Sequence, residues 1–496
     1  MSTAKRFAKQ TAIYGFSTIF QRLLSSLLTP LYTRAYQPKV YSIFSTMFSY
    51  ASILQAILAF GMETTFFRFL NKFPDKKKQV YSNGFWVVFS ATIIFLTGTV
   101  PFAHSLAGLI KIGNDTSQKQ FELYIKYFIA ILTFDAWSAI PFARLRAEGK
   151  ALKYATIKFI NIGITVLLNV ILIVGIPFWI KHHYFGSHWL GSWYVHGWIG
   201  YVFAANLIAT FITFLTLLPQ LLQLQLKLDI PIFKDMLIYS TPVLVANLSY
   251  LINENLDKIL LGKLLPGNVS EQQVGVYSAC ARLSIFLSIF NQAFRMGAEP
   301  FFFSHAKNKN AGQTYSRIMD YFVITMCLMF VGIIANIEIL KYYINKSYWV
   351  GLDVVPPLLF GYVSLGIYMN LSVWYKLSDQ TRYGLYISGI GAIVTILLNV
   401  AFIPRYSYMA SAWASFFAYS TMMILSYILG QKNHPIPYHT KKNLTYILLS
   451  ILLVYLSAYV FHRNIYIGNL LFFLFAFIAY YFEWGRLRAM LFRKET

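Results

Sequence analysis

Long apolar runs recur along this chain, each about one bilayer thick, with little sequence between them. Runs of that length read as membrane-crossing helices, because a bilayer interior offers a backbone no hydrogen-bond partner outside its own helix. At about 20 residues per span, fourteen are expected. They lie near 11–33, 40–62, 82–103, 122–143, 154–178, 196–218, 236–262, 276–300, 318–340, 349–373, 383–404, 408–429, 443–461 and 464–482. The connections are too short for a soluble domain. Hydrophobic residues make up 57% of the chain and charged ones 12%, against about a quarter charged in soluble proteins. The expected class is an all-α polytopic membrane protein.

The net charge of +24 does not point to nucleic acid. The basic residues lie mostly in short loops between apolar runs, which is an orientation signal. With the N-terminus inside, inner segments carry roughly 25 Lys/Arg and outer ones roughly 10. The inner set includes Lys76, Lys77, Lys78, Arg144, Arg146, Lys150, Lys307, Lys309, Lys441, Lys442, Arg486, Arg488, Arg493 and Lys494. Both termini are therefore expected in the cytoplasm. Lys5, Arg6 and Lys9 precede a run too long for a signal-peptide core and lacking a cleavage site, so it reads as a retained span. Cys280 and Cys327 both fall in apolar helices, so no disulfide framework is expected.

One stretch occurs twice. VYSIFSTMFSYASILQAILAFGMETTFF at 40–67 aligns without a gap to VYSACARLSIFLSIFNQAFRMGAEPFFF at 276–303. Gly61, Glu63, Phe66 and Phe67 match Gly297, Glu299, Phe302 and Phe303. A second match relates Thr165–Val170 to Thr395–Val400, including Asn169 and Asn399. The offsets are 236 and 230 residues, so one duplication covers both. Six spans per copy is an even number, so both lobes enter the membrane from the same side, a parallel repeat. The expected organisation is an N-lobe at 1–230 (helices 1–6), a C-lobe at 231–432 (helices 7–12), and helices 13–14 with a basic tail at 433–496. The link at 219–235 alternates Leu with polar residues and is expected to lie amphipathically at the inner surface.

Polar and ionisable residues deep in spans are costly and usually face a cavity or a partner. Helix 1 places Thr18, Gln21, Arg22, Ser25 and Thr29 on one face. Helix 7 carries Asn247, Tyr250, Glu254, Asp257 and Lys258, flanked by Asn253 and Asn255. Helix 8 carries Ser288, Asn291, Gln292 and Arg295 and leads to Glu299. Arg282 points about 120° from Ser288 if the helix is ideal. The functional reading is a net-cationic cavity between the lobes, in which Arg22, Lys258, Arg282 and Arg295 meet an anion. Arginine suits phosphate through paired, charge-assisted hydrogen bonds. The competing reading is internal pairing of Lys258 with Glu254 and of Arg295 with Glu299 across one turn. Glu63 and Glu299 are candidates for a coupling site or an inner gate with Arg68 and Arg295; the alternative is solvated helix ends. Asp135 and Lys158 are expected to pair, and Asn169 and Asn399 to bond between helices. His182, His183, His188 and His196 cluster in an outer loop, but no carboxylate or cysteine accompanies them and no metal site is expected. The tryptophans beside them read as interface belt. No motif for a phosphate loop, nucleophile elbow or metalloprotease appears, so no enzyme is expected.

YGFSTIFQRLLSSLLTPLYTRAYQPKVYS, followed by AFGMETTFFRF, resembles the opening helices of bacterial polysaccharide flippases, the Wzx-like branch of the MOP exporter superfamily. IPFARLRAEGKALKY, STPVLVANLSYLINENLDKILLGKLLPGNVSEQQVGVYS and TILLNVAFIPRYSYMASAWAS extend the resemblance over nearly the whole chain. Their order, rather than any single strict motif, carries it. The resemblance implies a MOP/MATE-like fold in the bacterial inner membrane. It implies alternating-access movement of an undecaprenyl-pyrophosphate-linked oligosaccharide (an O-antigen, capsule or exopolysaccharide unit) to the periplasmic leaflet, with a polysaccharide polymerase as a downstream partner. It places Arg22 and either Arg282 or Arg295 on cavity-lining helices, and Asp257 at an acidic position of helix 7; Asn253, Asn291 and Gln292, from the polar faces of helices 7 and 8, are the further candidates for substrate contact. Lys258 departs from the pattern. No cofactor is implied; proton or sodium antiport and passive movement are all compatible. A lipid II flippase and a multidrug cation antiporter of the same superfamily are the alternatives. The second normally carries a carboxylate in helix 1, where this chain has Arg22. A membrane glycosyltransferase would need a large outer loop, and none is present.

Overall fold

The computed structural model describes residues 3–111, 116–305, 310–378 and 380–491. Lys307, Lys309, Arg493 and Lys494 lie outside them, as do the side chains of Lys5, Arg6, Lys9, Phe303, Arg486 and Arg488. The described residues form helices and no strand. The main helices are α1 (Thr3–Ala35), α2 (Pro38–Ala59), α3 (Met62–Lys72), α4 (Lys77–Thr99), α5 (Gln118–Ala147), α6 (Ala151–Val170), α7 (Gly200–Thr216) and α8 (Ile230–Leu264). They continue with α9 (Gly267–Ala281), α10 (Ile285–His305), α11 (Ala311–Ala335), α12 (Val355–Leu371), α13 (Arg382–Tyr406), α14 (Tyr408–Asn433), α15 (Thr440–Tyr455) and α16 (Ile465–Leu491). Among the described residues, twelve helical stretches are long and apolar enough to cross a membrane. The expected first and sixth spans are helices too, but stand outside that twelve: α1 carries Gln21, Arg22 and Arg34, and α7 has only 17 residues.

Local chemistry sets the helix ends. Ser117 caps α5 by accepting from the Gln120 amide at 3.3 Å, and Asp229 caps α8 by accepting from Ile232 at 3.3 Å. Both satisfy donors that the first helical turn leaves open. Pro38 opens α2, where its missing N–H costs nothing. Pro30, Pro141, Pro242 and Pro404 lie inside helices, which membrane helices tolerate where neighbours satisfy the freed carbonyls.

The chain divides into two compact units, Met1–Ser278 with Ala392–Ser411, and Ala279–Gly391 with Ala412–Thr496. In the first unit α1 packs on α6, α7 packs on α5 and α6, and α8 packs on α2, α3 and α4. Leu58, Met62, Phe66, Val80, Ile140 and Met236 form the core where α2–α5 meet the start of α8. The first copy of the repeated stretch breaks at Phe60 and Gly61, both at positive φ (49° and 64°). A Cβ on Gly61 would sit 3.0 Å from the Ser240 carbonyl and from Val243. Glycine is thus needed there both for its backbone and for its lack of a side chain.

The link between the expected lobes is strapped to α4. Tyr81 donates to the Gln220 carbonyl (2.9 Å) and Trp86 to the Gln225 carbonyl (2.9 Å). The Gln225 amide donates to the Ser82 hydroxyl (2.8 Å), and Asn83 donates to the Asp229 carbonyl (2.9 Å). Lys76 closes the strap on the Asp229 carboxylate at 3.0 Å. Leu222, Leu226 and Ile230 stay exposed.

In the second unit α10 packs on α12, and α11 packs on α12, α15 and α16. The last two helices, which the repeat leaves without counterparts, are fixed to α11 by polar contacts at both ends. At one end the buried Asp320 lies 2.8 Å from His439 Nδ1 and accepts from Lys442 at 3.1 Å, and Lys442 reaches Glu483 at 2.8 Å. At the other, the Asn336 and Asn469 amides pair at 3.1 Å in both directions.

Candidate functional site

In the first unit, helix α8 holds a compact charged group. Lys258 Nζ lies 2.9 Å from Asp257 Oδ1 and donates to the Glu254 carbonyl at 3.2 Å. The Tyr277 hydroxyl on α9 donates to Asp257 Oδ2 at 2.5 Å. The Asp257 side chain is 5% exposed and that of Lys258 18%. Lys258 therefore balances a buried carboxylate rather than standing free, and its carboxylate partner is its neighbour, not Glu254. Glu254 is half-buried. Asn253, one turn below, is buried and accepts from the Thr395 hydroxyl at 2.7 Å, tying α8 to α13.

Helix α1 presents Arg22 on an exposed surface. Its neighbour Gln21 instead joins a polar chain, donating to Asn161 at 3.5 Å while Asn161 donates to the Thr213 hydroxyl at 2.9 Å. Ser25 turns back on its own helix, donating to the Gln21 carbonyl at 2.9 Å.

In the second unit the expected helix 8 is not ideal. Residues Arg282–Ser284 form a 3-10 turn between α9 and α10. The 120° separation of Arg282 from Ser288 assumed an unbroken α-helix, and the tighter turn removes that basis. Arg282 and Gln292 are half-buried and Arg295 is exposed. Asn291 is buried and donates to the Tyr362 carbonyl at 2.8 Å. A Cβ on Gly366 would collide with its amide, so Asn291 serves the contact of α10 with α12.

The repeated carboxylates also have defined partners. Glu63 pairs with Arg146, at the end of α5, and Glu299 pairs with Lys376, on the short helix Val373–Leu377 beyond α12. The cations paired with these carboxylates are thus Arg146 and Lys376 rather than Arg68 and Arg295, and Arg68 lies over the Tyr239 ring at 4.3 Å. Arg146 and Lys376 are 230 residues apart, the offset already seen for Asn169 and Asn399. That shared offset was the signal for a second repeated pair, but the residue types differ and identity matching passes over it. Asn169 and Asn399 repeat their geometry, each donating to its own helix at 2.7 Å. Asn399 also accepts from Ser411 on α14 at 2.8 Å.

The expected Asp135–Lys158 ion pair does not form within 4.0 Å among the described residues; Lys158 lies over the Phe142 ring at 4.4 Å. His182, His183, His188 and His196 are exposed, and no metal-holding group occurs among the described residues. At the strap, the hydrogen bond from Lys76 and that from the Ile232 amide hold the Asp229 carboxyl below its ordinary pKa. Burial works against the Glu148 carboxylate, but hydrogen bonds from Lys150 and Arg144 outweigh it and leave its pKa lowered.

Residues 7–305 match the family described as polysaccharide biosynthesis protein. Comparison with curated proteins finds no match. Among solved structures, the lipid II flippase MurJ in an inward closed conformation is similar at TM-score 0.70 and 15% identity, over 95% of this chain and 99% of that one. An outward-facing multidrug resistance MATE transporter of the MOP superfamily is similar at TM-score 0.60 and 12% identity, over 86% and 95%. A Vibrio cholerae MATE transporter gives 0.60 and 15%, over 86% and 96%. At these identities the likeness is one of fold. The family match, over more than half of the chain, shows that it belongs to the polysaccharide biosynthesis protein family, and its fold is the one shared by MurJ and the MATE transporters of the MOP superfamily.

Proposed function

We propose that this protein moves an undecaprenyl-pyrophosphate-linked oligosaccharide from the cytoplasmic to the periplasmic leaflet of a bacterial inner membrane by alternating access. The family match supplies the polysaccharide class. The observation that carries the reading is which cations stay accessible. Lys258, Arg146 and Lys376 are paired with carboxylates, whereas Arg22 and Arg295 are exposed on apolar helices. A bare guanidinium in a membrane helix is retained at a cost of several kcal/mol, and a pyrophosphate is the ligand whose paired oxygens fit it. Both termini are cytoplasmic in this reading, and a polymerase on the outer face consumes the product. Asp257 and Glu254 are the carboxylates through which a proton or sodium gradient would act; passive movement drawn by polymerisation needs neither.

The test is flipping of a lipid-linked oligosaccharide in proteoliposomes, with Arg22→Ala and Arg295→Ala alongside. Loss of flipping in both variants, with folding retained, supports the reading. Unchanged flipping removes it. A lipid II flippase is the second reading, favoured by the likeness to MurJ over 95% of the chain. Lipid II offered in competition separates the two substrates. Export of a cationic drug fits poorly, since α1 offers a cation where such a substrate needs an anion.

A further inference from the structure

The repeated ion pairs are uneven in one consistent way. In each, the cation is the more buried partner and the carboxylate the more exposed: 27% for Arg146 against 51% for Glu63, and 28% for Lys376 against 35% for Glu299. Arg146 is held as a plate, its guanidinium 5.1 Å from the Phe67 ring centre and 5.9 Å from that of Tyr154. Glu63 accepts from Nη2 alone, and Arg146 Nε is buried without a hydrogen-bond partner. An arginine that gives its carboxylate one nitrogen and keeps another donor unsatisfied has hydrogen-bonding capacity that an anion with more oxygens would use once Glu63 moves aside. In the other copy Arg295 stands one turn from Glu299, and Tyr375 is within electrostatic reach of both. Net charge there is positive even with the carboxylate in place.

We propose that Arg146 and Lys376 are a repeated pair of phosphate-binding cations, each covered in the resting protein by a carboxylate of its own repeat, Glu63 or Glu299. A pyrophosphate arriving from the cytoplasmic side displaces the carboxylate and takes its hydrogen bonds. The carboxylate keeps the cation neutralised when no substrate is present and sets a threshold that only a multiply charged anion passes. This rests on the flippase reading for its ligand, and the shared chemistry is that of a phosphate anion, free or on a lipid.

The test uses full-length protein in nanodiscs, titrated with inorganic pyrophosphate and with a short-chain prenyl pyrophosphate. Glu63→Gln and Glu299→Gln remove the competing charge and are expected to tighten binding about 3-fold each, the scale of a half-exposed ion pair. Arg146→Gln and Lys376→Gln are expected to weaken it. Tightening with the prenyl pyrophosphate, alone or together with the inorganic anion, supports the proposal and the flippase reading. Tightening with inorganic pyrophosphate alone keeps the anion site and counts against the lipid substrate. Unchanged affinity in the glutamine variants, with a lowered unfolding midpoint, makes the pairs mere clamps and overturns the proposal. Arg146→Lys and Lys376→Arg keep the charge where the glutamine variants fail to fold; pyrophosphate binding that is retained in Lys376→Arg and weakened in Arg146→Lys is expected, and loss of binding in folded Lys376→Arg, which keeps the charge and adds a fork, overturns the proposal.

Discussion

Lys258→Met isolates what the charged group on α8 is for. The substitution keeps most of the side-chain volume and removes the ammonium 2.9 Å from Asp257. Asp257 would retain the Tyr277 hydroxyl at 2.5 Å and one backbone amide at 2.8 Å, but no opposite charge. Both partners are less than a fifth exposed, so solvent screens little of the loss. Stranding one member of a buried pair costs about 3–5 kcal/mol. The expected result is a clear fall in unfolding midpoint, measured by heating detergent-solubilised protein and following the monodisperse fraction. Asp257→Asn combined with Lys258→Met removes both charges while keeping the Tyr277 contact, and is expected to recover most of that loss. Transport then decides the role. If Lys258 only balances Asp257, the double variant matches the wild-type rate in the proposed flipping assay run without an ion gradient. A double variant as unstable as the single one would falsify the pairing argument; one that is stable yet does not flip would make Lys258 or Asp257 part of the transport machinery.

The two glycines of the repeat should respond with opposite sign. Gly61→Ala places a side chain at φ 64° against the Ser240 carbonyl and is expected to cost about 1–3 kcal/mol. Gly297→Ala lies in α10 with nothing within 4 Å and should be stabilising by about 0.5–1 kcal/mol; equal effects in thermal unfolding would contradict the asymmetry. Lys442→Met removes the cation shared by the buried Asp320 and Glu483, leaving Asp320 to His439, and should loosen α15 and α16, seen as faster hydrogen exchange over 440–483 with 118–147 unchanged. The strap should loosen only in acid. Glu148 holds Arg144, which donates to Gln223 of the strap at 2.6 Å; the Asp229 and Glu148 pKa values are lowered, so their contribution is full above the ordinary carboxylate range and is lost as pH falls through the lowered values. Exchange over 222–230, corrected for intrinsic rate, should stay flat from about pH 8 to 5 and rise below about pH 4; loosening near pH 6 would implicate a histidine instead.

The helices, their all-α class and the family were legible because apolar length and repeat order are written directly in the residues. Pairing was less so. Asp257 and Lys258 are adjacent, and adjacent helix residues do not face each other; only the long flexible lysine stem, bending back, brings them together. Arg282 was placed by an ideal helix, and a 3-10 turn cannot be read from an apolar run. Arg146 and Lys376 escaped notice because the repeat offset shortens from 236 to 230 between the second and fourth helices, and because arginine has been exchanged for lysine. The strap hid for another reason: its alternating leucines announce an interface, while the bonds that fix it come from Tyr81, Ser82, Asn83 and Trp86, far upstream.

That distance has a consequence for synthesis. The strap bonds to α4 join residues about 140 positions apart, and chains of this size fold from the N-terminus as they emerge. Helix α4 waits, with buried polar groups uncommitted, until residues 220–229 have left the ribosome. The start of α8 then completes the inner core through Ile232 and Met236. A chain truncated after α7 would lack both, so the first six spans are not an independently finished product. Their last bonds are made by the segment that begins the next six.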